Sequence, residues 1–85
     1  MSKIKKIIEE FLKQGNNFEY QNLVAMLNYF GYKEAKIVKT TGSAVCFVNE
    51  KTGAKIRFHK PHPDRYIKKY LMRQIKQELE KEGVL

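Results

Sequence analysis

The chain has 85 residues, with 17 Lys or Arg against 9 Asp or Glu, a formal charge of +8 with His neutral. A chain this short buries only roughly 60–65% of the surface it exposes when unfolded, which suits two packed layers and excludes a deep enclosed cofactor site. The composition, 42% hydrophobic and 31% charged, is that of a folded globule and not of a disordered tail. No apolar run nears the ~20 residues of a bilayer span and no signal-peptide pattern opens the chain, so the expected location is the cytoplasm. The lone Cys46 excludes an internal disulfide and any multi-thiolate zinc site.

Ile4, Ile7, Ile8, Phe11 and Leu12 follow helical spacing, with Ser2 as N-cap and Gly15 as the stop. A second helix is predicted over 19–29, with Leu23, Val24, Leu27 and Phe30 on one side and Gly31 ending it. Three extended segments follow: 34–40 with Ile37 and Val38, 44–48 with Val45 and Phe47 on one face, and 54–59 with Ile56 and Phe58 opposite Lys55, Arg57 and His59. Turns fall at 41–43 and 49–53. Pro61 and Pro63 stop the third strand, and Asp64 is placed to cap a final helix running to about Lys81. That helix buries Ile67, Leu71, Ile75 and Leu79, while Arg65, Lys69, Arg73 and Lys76 form a basic stripe on its other side. The order α-α-β-β-β-α packs most simply as helices against a three-stranded antiparallel sheet, an α+β architecture.

The charge is not spread evenly. Residues 1–50 carry seven basic and five acidic side chains, whereas 51–77 carry nine basic against Asp64 alone. A concentrated positive segment attracts polyanions, which makes RNA or DNA the first class of partner and a solvated charged face the bland alternative. An anionic membrane surface ranks below both, because the segment lacks a Trp/Phe/Leu face. Register decides which cations share a surface. If Val45 and Phe47 point inward with Ile56 and Phe58, a parity that a bulge at Gly53 can supply, then Ala44, Cys46, Lys55, Arg57 and His59 share the outer face. Pairing Val48 with Ala54 would instead set Phe47 beside Lys55 and Arg57. The first register is preferred because it keeps the large side chains dry.

A helix ending in Phe30-Gly31-Tyr32, a strand leading into Gly42-Ser43, Phe47 after it, a turn with Gly53, a strand ending near Pro61-His62-Pro63, and a helix with Tyr70, Leu71, Arg73, Gln74 and Ile75 form an ordered set. In that order and spacing, residues 18–83 resemble HicA toxins, the mRNA-cleaving halves of toxin–antitoxin pairs. The resemblance implies an α-β-β-β-α fold like that of double-stranded-RNA-binding domains, with 1–15 as an added helical extension of a single domain spanning 1–85. It implies a metal-independent endoribonuclease with no cofactor, and a HicB-type antitoxin that covers the active face and carries any contact with DNA.

In the family pattern the catalytic His follows Gly-Ser. Here Gly42-Ser43 is followed by Ala44. Cleavage by attack of the 2′-hydroxyl needs a group that takes or gives a proton near neutral pH, and a methyl group does neither. Loss of such a group lowers the rate about 10²–10⁴-fold. Ala44 is therefore read as an inactivating residue, either a natural divergence or a replacement. His59 is either a phosphate contact or weak acid on the basic face, or a solvated strand-end side chain. His62 is read as a turn residue or a helix-entry contact, and Cys46 as a small apolar filler or interface residue. Neither His has a partner at metal-ligand spacing, so no metal is expected.

RNA contact is expected from Lys55, Arg57, His59 and Lys60, supported by Lys69, Arg73 and Lys76 from the final helix, through phosphate neutralisation without sequence reading. Tyr20, Tyr29, Tyr66 and Tyr70 are expected to be partly buried. A non-enzymatic RNA-binding module of the same topology accounts equally well for the charge and for Ala44, and a basic interaction subunit without nucleic acid is the third reading.

Overall fold

The computed structural model describes residues 3–15, 17–35, 44–59 and 65–85. Helix α1 spans Lys3–Lys13 and α2 spans Tyr20–Tyr29; strands β1 (Tyr32–Ala35), β2 (Ala44–Asn49) and β3 (Lys55–His59) follow, and α3 covers Lys69–Lys81. The strands form an antiparallel sheet in the order β1-β2-β3, so the fold is the expected α+β arrangement of helices and a three-stranded sheet.

Helix α1 ends differently from the expectation. Gln14, not Gly15, takes the left-handed conformation at φ 54, and its side-chain amide and backbone N–H both donate to the Phe11 carbonyl, at 2.9 and 3.0 Å. Two donors on one terminal carbonyl satisfy the helix end without a glycine. The inward face of α1 buries Ile7 and Phe11, while Leu12, expected on that face, is exposed. Gly31 does close α2 as expected, at φ 97. Ser2, placed as the cap of α1, lies outside the described residues.

The strand over 34–40 is corrected at its start: β1 begins at Tyr32, with Ile37 and Val38 outside the described residues. The larger correction concerns the last helix. It does not run from Asp64, itself outside the described residues, but starts at Lys69 after an extended Lys68. The segment before it pairs with the entry to α2. Glu19 and Tyr66 form a β-bridge, the Tyr20 N–H donates to the Arg65 carbonyl at 2.8 Å, and the Ile67 N–H donates to the Phe18 carbonyl at 2.8 Å. Arg65 therefore leaves the helical stripe, and Ile67 is buried from an extended segment.

One core unites the elements: Phe11 of α1, Leu23, Met26 and Leu27 of α2, Val45, Phe47, Ile56 and Phe58 of the sheet, and Leu71, Met72, Ile75 and Leu79 of α3. Phe47 and Phe58 lie parallel with centroids 5.8 Å apart, and Phe11 meets Phe18 edge to face at 5.4 Å. Asn49 is the buried polar residue at the sheet's far end. Its amide donates to the Phe30 carbonyl at 3.4 Å, and its side-chain oxygen accepts from the N–H groups of Lys51 (2.9 Å) and Thr52 (3.2 Å). A Cβ on Gly31 would sit 3.6 Å from the same amide, so the helix end and the β2–β3 turn meet on one side chain.

Candidate nucleic-acid interface

The β2–β3 hairpin positions the candidate site. Its turn is closed by the Asn49 N–H donating to the Ala54 carbonyl (2.8 Å) and the Gly53 N–H donating to the Asn49 carbonyl (2.7 Å). Gly53 and Ala54 thus oppose one residue, and Gly53 takes φ 78, a conformation open to glycine at no steric cost. The resulting pairs are Ala44 with His59, Val45 with Phe58, Cys46 with Arg57, Phe47 with Ile56, and Val48 with Lys55. This is the preferred register. Val45, Phe47, Ile56 and Phe58 enter the core, and Ala44, Cys46, Val48, Lys55, Arg57 and His59 share the outer face.

On that face β3 presents Lys55, Arg57 and His59, all exposed, at every second position. Successive heads are therefore about 6.5–7 Å apart along the strand, a spacing that suits neighbouring phosphates of an extended chain. Strand β1 adds Lys33, which pairs with Val48. The Lys33 ammonium lies 3.3 Å from the Glu50 carboxylate in an exposed ion pair that leaves the β3 cations unneutralised. Ala44 stands at the end of the face, half-buried, directly across from His59. Alternation from Asn49 makes this a pair without mutual hydrogen bonds, the kind whose side chains come closest, with Cα atoms about 4.5 Å apart.

Cys46 lies on the outer face as expected but is not exposed there. At 6% exposure it is covered within the central strand, between Ala35 on β1 and Arg57 on β3. It fills space, as the filler reading has it, and offers no surface to a partner.

The cations of α3 are not gathered onto this face. Gln74, Ile75 and Glu78 line a cleft of about 300 Å³ against Lys55, Ile56 and Arg57, which fixes the flank of α3 that adjoins β3. At 100° per residue, Lys69, Arg73 and Lys76 lie roughly 150° around the helix from that flank. They form a separate basic stripe. Tyr70 is 66% exposed and Tyr29 63% exposed. Both correct the expectation of burial, whereas Tyr20 and Tyr66 are half-buried. Gly42, Ser43, Lys60 and Pro61-His62-Pro63 lie outside the described residues.

No group of three or more His, Cys, Asp or Glu able to hold a metal ion occurs among the described residues. None of their helices is long and apolar enough to cross a membrane. Among known families, the model described as HicA toxin of bacterial toxin–antitoxin matches residues 20–81. No curated protein and no solved structure matches the chain.

Proposed function

Because the chain belongs to the HicA toxin family of bacterial toxin–antitoxin systems, we propose that its outer sheet face binds messenger RNA and is the scaffold of a metal-independent endoribonuclease that Ala44 leaves nearly inactive. The toxin role and an antitoxin partner follow from the family itself. The chemistry and the residues are the further reading, and one observation carries them: the cross-strand pair of Ala44 with His59 at the end of a line of cations.

In this reading Lys55 and Arg57, which β3 presents, and Lys60, which follows in the sequence, neutralise phosphates and hold the RNA chain without reading its bases. Ala44, which follows Gly42 and Ser43, occupies the place where the family carries its catalytic imidazole. An imidazole there would take the 2′-hydroxyl proton as the oxygen attacks the adjacent phosphorus, and a proton must also reach the departing 5′-oxygen. His59 is the residue across the strand with the chemistry for one of these transfers. Lys69, Arg73 and Lys76 form a second stripe that attracts the same polyanion at longer range. The antitoxin is of the HicB type and covers the β3 face.

Restoring the imidazole tests the reading. Purified Ala44→His is incubated with single-stranded RNA in EDTA beside the parent chain. The expected result is cleavage faster than the parent by about 10²–10⁴-fold. Absence of cleavage together with retained RNA binding would leave the second reading, a non-enzymatic RNA-binding module, which accounts for Ala44 equally well.

A further inference from the structure

Strand β3 is an edge of the sheet. The bond from the Asn49 N–H to the Ala54 carbonyl fixes which way each backbone group of β3 points. Ile56 and Phe58 turn their N–H and C=O groups to β2, and Lys55, Arg57 and His59 turn theirs outward. Among the described residues no hydrogen bond takes up these outward groups. Beside them runs the cleft whose far wall is Gln74, Ile75 and Glu78 of α3. An open edge of this kind invites another strand, and charge decides which strand can come.

A second copy of this chain is a poor occupant. Antiparallel pairing of two β3 edges about their centre sets Arg57 against Arg57, and the neighbouring register of the same parity sets Lys55 against Arg57. Like charges directly opposite destabilise a strand pair. A strand with carboxylates at alternate positions meets Lys55 and Arg57 with the opposite sign.

We infer that the antitoxin of this toxin binds by adding one of its own strands to the β3 edge. Its acidic side chains lie over Lys55 and Arg57 on the outer face, and its intervening uncharged side chains turn into the cleft against Gln74 and Ile75. Backbone hydrogen bonds to Lys55, Arg57 and His59 hold the strand, and the same strand occupies the line of cations proposed above for RNA. The inference rests on the family's antitoxin and on the proposed role of the β3 face. Its test uses no RNA, so it can fail independently of the nuclease reading.

Proline separates a backbone role from a side-chain role. At Lys55 or Arg57 the ring nitrogen faces the free edge, so proline leaves the β2–β3 ladder intact while removing the donor a partner strand needs. Lys55→Pro and Arg57→Pro are compared with Lys55→Ala and Arg57→Ala by titration calorimetry against the purified antitoxin encoded with this toxin. Each proline variant is expected to bind at least about tenfold more weakly than its alanine counterpart, the loss of one hydrogen bond plus the clash of the ring. Equal binding by the proline and alanine variants overturns the inference. Amide hydrogen exchange on the unmutated chain removes any dependence on how the variants fold. The N–H groups of Lys55, Arg57 and His59 are expected to slow on complex formation, and unchanged exchange at all three overturns the inference.

Discussion

The pair of Ala44 and His59 turns a one-residue question into a two-imidazole experiment. If His59 serves the proton transfers, then in an Ala44→His background the further change His59→Gln lowers the cleavage rate and removes one limb of its pH dependence. Rates measured from pH 5 to 9 check this; an unaltered profile returns His59 to a phosphate contact. At the other end of the sheet, Asn49 joins the α2 terminus to the hairpin turn through the Phe30 carbonyl and the Lys51 and Thr52 amides. Asn49→Ala is expected to cost about 1–3 kcal/mol, read from urea unfolding, because those groups lose a buried partner. Tyr32 carries a different signal. Burial first, then Glu82 and Glu78, raise its pKa above the ordinary 10.0, with the Asn49 amide opposing. A phenol whose folded pKa is raised contributes stability that is full below pH 10.0 and is lost as pH rises through the folded pKa. Thermal unfolding between pH 9 and 11 is expected to fall more steeply for the parent than for Tyr32→Phe.

At the scale of elements, the two basic stripes make different forecasts. Arg57→Glu acts on the line of cations along β3, whereas Arg73→Glu acts on the flank of α3 turned away from it. The first is expected to weaken RNA binding more, and to reduce the slope of log affinity against log salt by about one or more, in a titration across salt concentrations. Equal effects would mean that RNA wraps both surfaces. Much of this was legible in the sequence, since strict alternation in 44–48 and 54–59 leaves one register that keeps Phe47 and Phe58 dry. The start of α3 was not legible. Asp64 looks like a cap, and Arg65 falls in phase with Lys69, but residues 65–67 are taken by pairing with Phe18, Glu19 and Tyr20. Local pattern carries no information about a partner so far along the chain. Cys46 shows the same limit of local pattern: alternation assigns it to the outer face, and the neighbours Ala35 and Arg57 decide that it is covered there.

For the molecule as a whole, α1 lies outside the family-matched 20–81 yet contributes Ile7 and Phe11 to the common core. Phe11→Ala is expected to destabilise the chain by about 3–5 kcal/mol in urea unfolding, the range for emptying a buried aromatic site. A loss below 1 kcal/mol would make α1 an appendage. The bridge between Glu19 and Tyr66 has a consequence in time as well as in space. It closes the entry of α2 against a segment made late in synthesis, and the sheet's inner face waits for Leu71, Ile75 and Leu79, made later still. On the ribosome the N-terminal helices and the hairpin emerge before the residues that complete their core. The shared core therefore stays open until residues as far as Leu79 have been made, so this fold closes from its later segments back onto its earlier ones.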